Sequence, residues 1–265
     1  MMQRVRRFAA LLILLFACCS AGAQTGAPLR ILFVGNSLTY YNDVPQIAAA
    51  TVAAMRPGRA IHVEMLASGG ATMGDHLREG QLAKLLDKRD YDIVVLQDVG
   101  GFPACEDTFP GCAQTVAGVC EAAKLVREAH ARPLLFGTWQ SLGADQRVLS
   151  AATLDEAKHC GAEVADVGAA MQRFVERIPG APPWSKDGHP TLEGSWIAAA
   201  TLSRAILRHD IPVGLSIPAF CRKRWQDAHL SHAKLASQQY QPEVDCERPS
   251  DRMLRAALQA ADVTK

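Results

Sequence analysis

The chain has 265 residues, 49% hydrophobic and 21% charged, with 28 basic and 27 acidic side chains giving a formal net charge of +1. That is enough chain and enough apolar material for one globular unit with a sizeable core. The near-balance of charge removes the electrostatic argument for a nucleic-acid partner or an anionic membrane surface.

In chain order, residues 1–23 read as an export leader and stand outside the fold. Arg4, Arg6 and Arg7 precede the apolar run from Phe8 to Cys18, and Ala21-Gly22-Ala23 supplies small residues for cleavage before Gln24. A rival box, Leu15-Phe16-Ala17-Cys18, would instead acylate Cys18 as a lipid anchor, although Phe16 is bulky for that role. The run is too short for a membrane span, and no later segment replaces it. A secreted or periplasmic location is therefore expected.

Export also decides how the cysteines read. Of eight cysteines, six follow the leader, an even number that in an oxidising compartment favours disulfides over metal ligation. The expected pairings are local: Cys105 with Cys112, Cys221 with Cys246, and Cys120 with Cys160 between neighbouring helices. The competing reading of Cys120 and Cys160 is a pair of buried thiols.

From residue 24 to 212, strand-like runs alternate with stretches of helical period. The runs are "RILFV" (30–34), "IHVEML" (61–66), "YDIVVLQ" (91–97), "PLLFGT" (133–138) and "AEVADV" (162–167). The helical stretches fall near 44–56, 75–87, 114–131, 151–160, 168–177 and 192–209. Such alternation predicts an α/β fold: a three-layer, doubly wound, mostly parallel five-stranded sheet with helices on both faces. Residues 213–265 are expected to form a helical C-terminal extension, with Ser250 capping its last helix.

In sheets of this type the loops leaving the carboxyl ends of the strands converge on the functional crevice. After the first strand comes "GNSLT", where Ser37 is either a capping serine or a nucleophile held up in a tight strand-to-helix turn. The second strand is followed by "ASGGATMGDHL", whose paired glycines suit either a flexible turn or an amide aimed at a ligand. After the third comes "VVLQDVGG", where the Gln97 carboxamide either donates to a developing negative charge or satisfies loop carbonyls. Late in the run, "WSKDGHPTLEGSW" puts His189 at a helix start with Asp187 nearby. That histidine suits a general base as well as an ordinary loop residue. His229 and His232 in "DAHLSH", and Asp75-His76, are the candidate metal ligands, but neither pair has a third ligand beside it. No cofactor is expected.

These four blocks, in this order, resemble those of the SGNH (GDSL-like) hydrolases. "FVGNSLTYYNDVP" looks like the first block, "SGGATMGDHL" the second, "VVLQDVG" the third and "DGHPTLEGSWIAAA" the last. The chain is more closely similar to a bacterial exported subset with Gly-Asn-Ser-x-Thr first, glutamine in the third block and a tryptophan after the fourth strand, as in "LLFGTWQS". The likeness spans about residues 30–208.

The resemblance implies a flavodoxin-like hydrolase fold, with Ser37 as nucleophile, His189 as base and Asp187 as its partner. The amides of Ser37 and Gly70, with the Gln97 side chain, would form the oxyanion hole. It further implies an exported serine esterase removing a small acyl group, O-acetyl first, from a carbohydrate or other small ester. The alternative is a catalytically impaired binder of a glycan or peptide. Two departures stand out. Gln97 replaces the family asparagine, and Asp187 lies two residues before the histidine, while Lys186 holds the usual aspartate position three before.

Overall fold

The computed structural model describes residues 26–104, 112–139, 145–224 and 243–262. The leader, Cys105 and the Cys105–Cys112 pairing, His229 and His232 lie outside these residues.

Strand β1 (Leu29–Gly35) is an inner strand of a five-stranded sheet, with the edge strand β2 (Ile61–Ala67) on one side and β3 (Ile93–Leu96) on the other. Strands β4 (Arg132–Gly137) and β5 (Glu163–Asp166) follow, so the order is β2-β1-β3-β4-β5 and every pairing is parallel. Successive residues of a strand point to opposite faces, which explains why the inner strand β3 and residues 31–34 of β1, buried on both faces, are apolar throughout. Ile31 and Phe33 of β1 enter one core, whereas Leu32 and Val34 enter the other.

The first core is closed by α2 (Val44–Met55), α7 (Val167–Arg177) and α8 (Leu192–Leu207). The second is closed by α3 (Met73–Arg78), α4 (Gln81–Lys88), α5 (Cys112–Glu128) and α6 (Gln146–Cys160). The expected single helix over 75–87 is two, α3 and α4, because Gly80 between them takes a left-handed φ of +62°. Helix α6 starts earlier than expected, where the Asp145 side chain accepts from the Arg147 amide.

The C-terminal extension departs from an all-helical reading. Arg222–Arg224 is a strand, β6, paired antiparallel with β7 (Glu243–Asp245), and Cys221–Cys246 ties this hairpin at its base. Arg222, first of three consecutive basic residues, is buried and ion-paired with Asp245 at 2.8 Å. Helix α9 (Asp251–Ala261) does form, capped by Ser250, and its Leu254, Ala257 and Leu258 join the first core against α7 and α8. The second expected disulfide, Cys120–Cys160, joins α5 to the end of α6. Among the described residues no helix is long and apolar enough to cross a membrane.

The strand order reverses between β1 and β3. In open parallel sheets, the crevice at such a switch point is where ligands bind, because adjacent loops diverge to opposite faces there. The loops after β1 and β3 carry Ser37 and Gln97.

Candidate active site

Strand β1 ends at Gly35, and Asn36 then caps a one-turn helix, α1 (Ser37–Tyr40), by accepting from the Leu38 amide at 3.0 Å. Ser37 is thereby the first residue of a helix at the carboxyl edge of β1. Gly35 is required by close approach. A Cβ there would lie 2.5 Å from both Gln97 Oε1 and Thr39 Oγ1.

Gln97 braces this turn from beneath. Its Oε1 accepts from the Asn36 amide (2.9 Å) and the Thr39 hydroxyl (2.7 Å); its Nε2 donates to Asn36 Oδ1 (3.0 Å) and to the Asp98 carbonyl. The side chain is 0% exposed. Its amide hydrogens are therefore committed to the loop framework. This corrects the expectation that Gln97 lines an oxyanion hole; the longer side chain reaches under the turn that carries Ser37.

The second loop closes over the same space. Residues Ser68 to Ala71 form a turn joined by the Ala71 amide and the Ser68 carbonyl (3.1 Å), with Gly70 at φ +67°. Asn36 Nδ2 donates to the Ala71 carbonyl at 3.0 Å and pins this turn beside Ser37. Among the described residues the Ser37 and Gly70 amides donate to no other group, and both residues line the cavity. Buried His76 donates from Nε2 to the Gly35 carbonyl at 2.8 Å, so it supports the strand end.

The histidine loop resolves the question of spacing. Asp187 Oδ1 accepts from the His189 amide at 3.2 Å, closing an Asx-turn, while Oδ2 lies 2.9 Å from His189 Nδ1. Gly188 permits this at φ +86°. One carboxylate thus fixes both the backbone and the ring of the histidine two residues on. The Ser185 hydroxyl donates to Asp187 as well. That bond first, and the His189 bond next, hold the carboxyl well below the usual carboxylate range. Buried Trp139, just past β4, donates from Nε1 to the Gly188 carbonyl at 3.0 Å.

Ser37, Gly70, Asp187 and His189 line one cavity of about 280 Å³, walled by Leu38, Val99, Gly100 and Trp139. No hydrogen bond joins Ser37 to His189 directly; in unliganded sites such bonds are often long and tighten only around substrate. With the imidazole Nδ1–H donating to Asp187, Nε2 is left to take a proton, as a Ser–His pair requires. Among the described residues no group of three potential metal ligands clusters, and Asp75 is spent capping Thr72.

No protein-family model and no curated protein sequence matches the chain. Solved structures do. A "putative SGNH hydrolase" from Slackia heliotrinireducens is 28% identical with a TM-score of 0.54, covering 68% of this chain and 99% of its own. The chain has the SGNH hydrolase fold. LAE5, an alpha/beta hydrolase from the metagenome of Lake Arreo, Spain, matches with a TM-score of 0.55 at 16% identity over 69% of this chain and 97% of its own. Axe2, an acetylxylan esterase from Geobacillus stearothermophilus, gives 0.54 at 16% identity over 70% and 95%.

Within this SGNH fold, sequence reasoning brought Ser37, Gly70, Asp187 and His189 to one cavity but missed three contributors. Tyr41 stacks on the His189 ring, and Asn42 donates to the Pro190 carbonyl. Neither has a role in the sequence reading, although both lie within the serine block "FVGNSLTYYNDVP". The third is buried Tyr40, whose hydroxyl would stand 3.2 Å from a Cβ placed at Gly69. Burial, then neighbouring Tyr41, push its phenol up to about 12 despite the lowering effect of the Ser37 side chain.

Proposed function

We propose that the protein is an SGNH-type serine esterase that removes a small acyl group, O-acetyl first, from a carbohydrate. The observation that carries this reading is the two-point hold of Asp187 on His189 in the cavity that Ser37 also lines. The carboxylate keeps the imidazole in one tautomer and stabilises the imidazolium that forms. His189 takes the Ser37 proton as Oγ attacks the ester carbonyl, and the resulting oxyanion is met by the amides of Ser37 and Gly70. His189 then protonates the leaving alcohol, and a water, deprotonated in turn by His189, releases the acid and restores Ser37.

The substrate class rests on the cavity. At about 280 Å³, with Leu38, Val99, Gly100 and Trp139 as walls, it suits a short uncharged acyl group. Axe2, described as an acetyl-xylooligosaccharide esterase in one structure, has been solved as catalytic mutants at a serine, an aspartate and a histidine. Those residue types match Ser37, Asp187 and His189, and the carbohydrate acetyl ester is carried over from that likeness. Export and the leader over residues 1–23 are part of the same proposal; the two disulfides are compatible with it.

The test is acetate release from acetylated xylooligosaccharides and from p-nitrophenyl acetate, with Ser37→Ala as control. Wild type should release acetate and, if Leu38, Val99, Gly100 and Trp139 bound the acyl site as proposed, turn over p-nitrophenyl octanoate at least about tenfold more slowly. Equal rates from wild type and Ser37→Ala would leave only a binding protein.

A further inference from the structure

The His189 loop is gripped from both sides, and one side has no part in the scheme above. Asp187 holds the ring edge through Nδ1, while the phenol ring of Tyr41 lies parallel to the imidazole, centroids 4.0 Å apart and planes within 7°. Tyr41 is four residues beyond Ser37, at the end of the same one-turn helix. The next residue, Asn42, is buried in a left-handed conformation (φ 53°) that side chains seldom adopt. Its Nδ2 donates to the Pro190 carbonyl at 3.2 Å and to Ser195 Oγ at 2.9 Å. Ser195 Oγ in turn lies 3.0 Å from the Thr191 carbonyl and donates to it. The hairpin strand β6, anchored by Cys221–Cys246, packs on the same turn from outside.

We propose that the Tyr41–Asn42 turn is the positioning device that sets His189 against Ser37. This rests on the reading of Ser37 and His189 as nucleophile and base. Because the turn is continuous with the serine helix and bonded to the residue after the histidine, it fixes the distance between two loops otherwise separated by 150 residues of chain. The Tyr41 ring covers one imidazole face, so rotation of His189 away from the cavity costs that contact. When the imidazole gains the Ser37 proton, the electron-rich face of the phenol attracts the new positive charge. The aromatic ring does this, and the phenolic oxygen is not needed for it.

The experiment compares Tyr41→Leu and Tyr41→Phe with wild type, in steady-state hydrolysis of p-nitrophenyl acetate and in NMR spectra of protein carrying labelled histidine. Tyr41→Leu should lower kcat about three- to tenfold with KM nearly unchanged, and Tyr41→Phe should recover most of the loss. The His189 ring-proton resonances should move downfield in Tyr41→Leu, as the ring current of the stacked phenol is removed, and stay near wild type in Tyr41→Phe. Wild-type kcat in Tyr41→Leu, or an equal loss in both variants, would overturn the role of the ring face. Unmoved His189 resonances in Tyr41→Leu would overturn the stack itself, whatever the activity. A wild type with no more activity than Ser37→Ala would refute the nucleophile reading and the catalytic half of this inference with it; the resonances would still decide the stack.

Discussion

In the proposed mechanism Asp187 is the residue on which the chemistry turns, because its carboxylate reaches both the amide and the Nδ1 of His189 from two positions before it. Replacing it with asparagine should remove the charge that stabilises the imidazolium, and kcat is expected to fall by about 10²-fold. Lys186, at the usual aspartate position and exposed, should be replaceable by alanine with unchanged kcat. Both are read from initial rates at saturating ester. Gly35 makes a harder test of the framework. Gly35→Ala would drive a methyl into Gln97 and Thr39, and should lower stability by about 1–3 kcal/mol together with loss of turnover, measured by urea unfolding. At this scale the sequence singled out Ser37, His189, Asp187 and Gly70, which line one cavity, and of its two readings of Gln97 the loop-bonding one matches the hydrogen bonds. A glutamine at a strand end has the same donors whether it faces a ligand or a loop, and only its packing against Gly35 and Asn36 separates the two.

Among the elements, the segment after β3 deserves a test through the carboxyls around it. Asp98 is 8% exposed; its Oδ1 accepts from the Val99 and Met73 amides, while its Oδ2 lies buried with no partner among the described residues. Burial, opposed by those two amides, raises its pKa to about 6. On α6, Glu156 is 7% exposed, and burial followed by the Asp98 charge pushes it up to about 7. A raised carboxyl binds its proton more tightly when folded than when unfolded. Stability is then full below the ordinary carboxyl range and declines as pH rises through about 6–7. Thermal midpoints should fall between pH 5 and pH 8, and Glu156→Gln should flatten that fall, by a difference on the order of 2 kcal/mol at pH 8. A sequence pattern could not show this pair, since Glu156 reads as an exposed position of α6 until the crowding against Asp98 is seen. Element types were easier to read than their ends. Short apolar or β-branched runs announced the strands, while Gly80 divided one helical period into two helices.

At the scale of the whole molecule, two covalent ties connect elements among the described residues. Cys120–Cys160 closes a 40-residue separation between α5 and α6, and Cys221–Cys246 a 25-residue one at the hairpin. Removing either should cost about 3–4 kcal/mol in the chain-entropy account. Loss of the hairpin tie should also lower kcat, because β6 packs on the turn that carries Tyr41. Cys120→Ala/Cys160→Ala should lower the thermal midpoint with kcat nearly intact at 25 °C, a contrast that differential scanning and rate measurements together would reveal. The parallel sheet with helices on both faces was legible because strand-like runs and helical periods alternate over most of residues 29–207; the strand order and its switch point come from the structure. The hairpin was hidden, since three basic residues in a row carry no strand signal without the buried Arg222–Asp245 pair that explains them.

The central claim is that Ser37 is an activated nucleophile. It is tested most directly by treating the protein with a fluorophosphonate and mapping the adduct by peptide mass spectrometry. The account predicts one adduct, on Ser37, forming much more slowly in His189→Ala. An unmodified Ser37 in folded wild-type protein would contradict it.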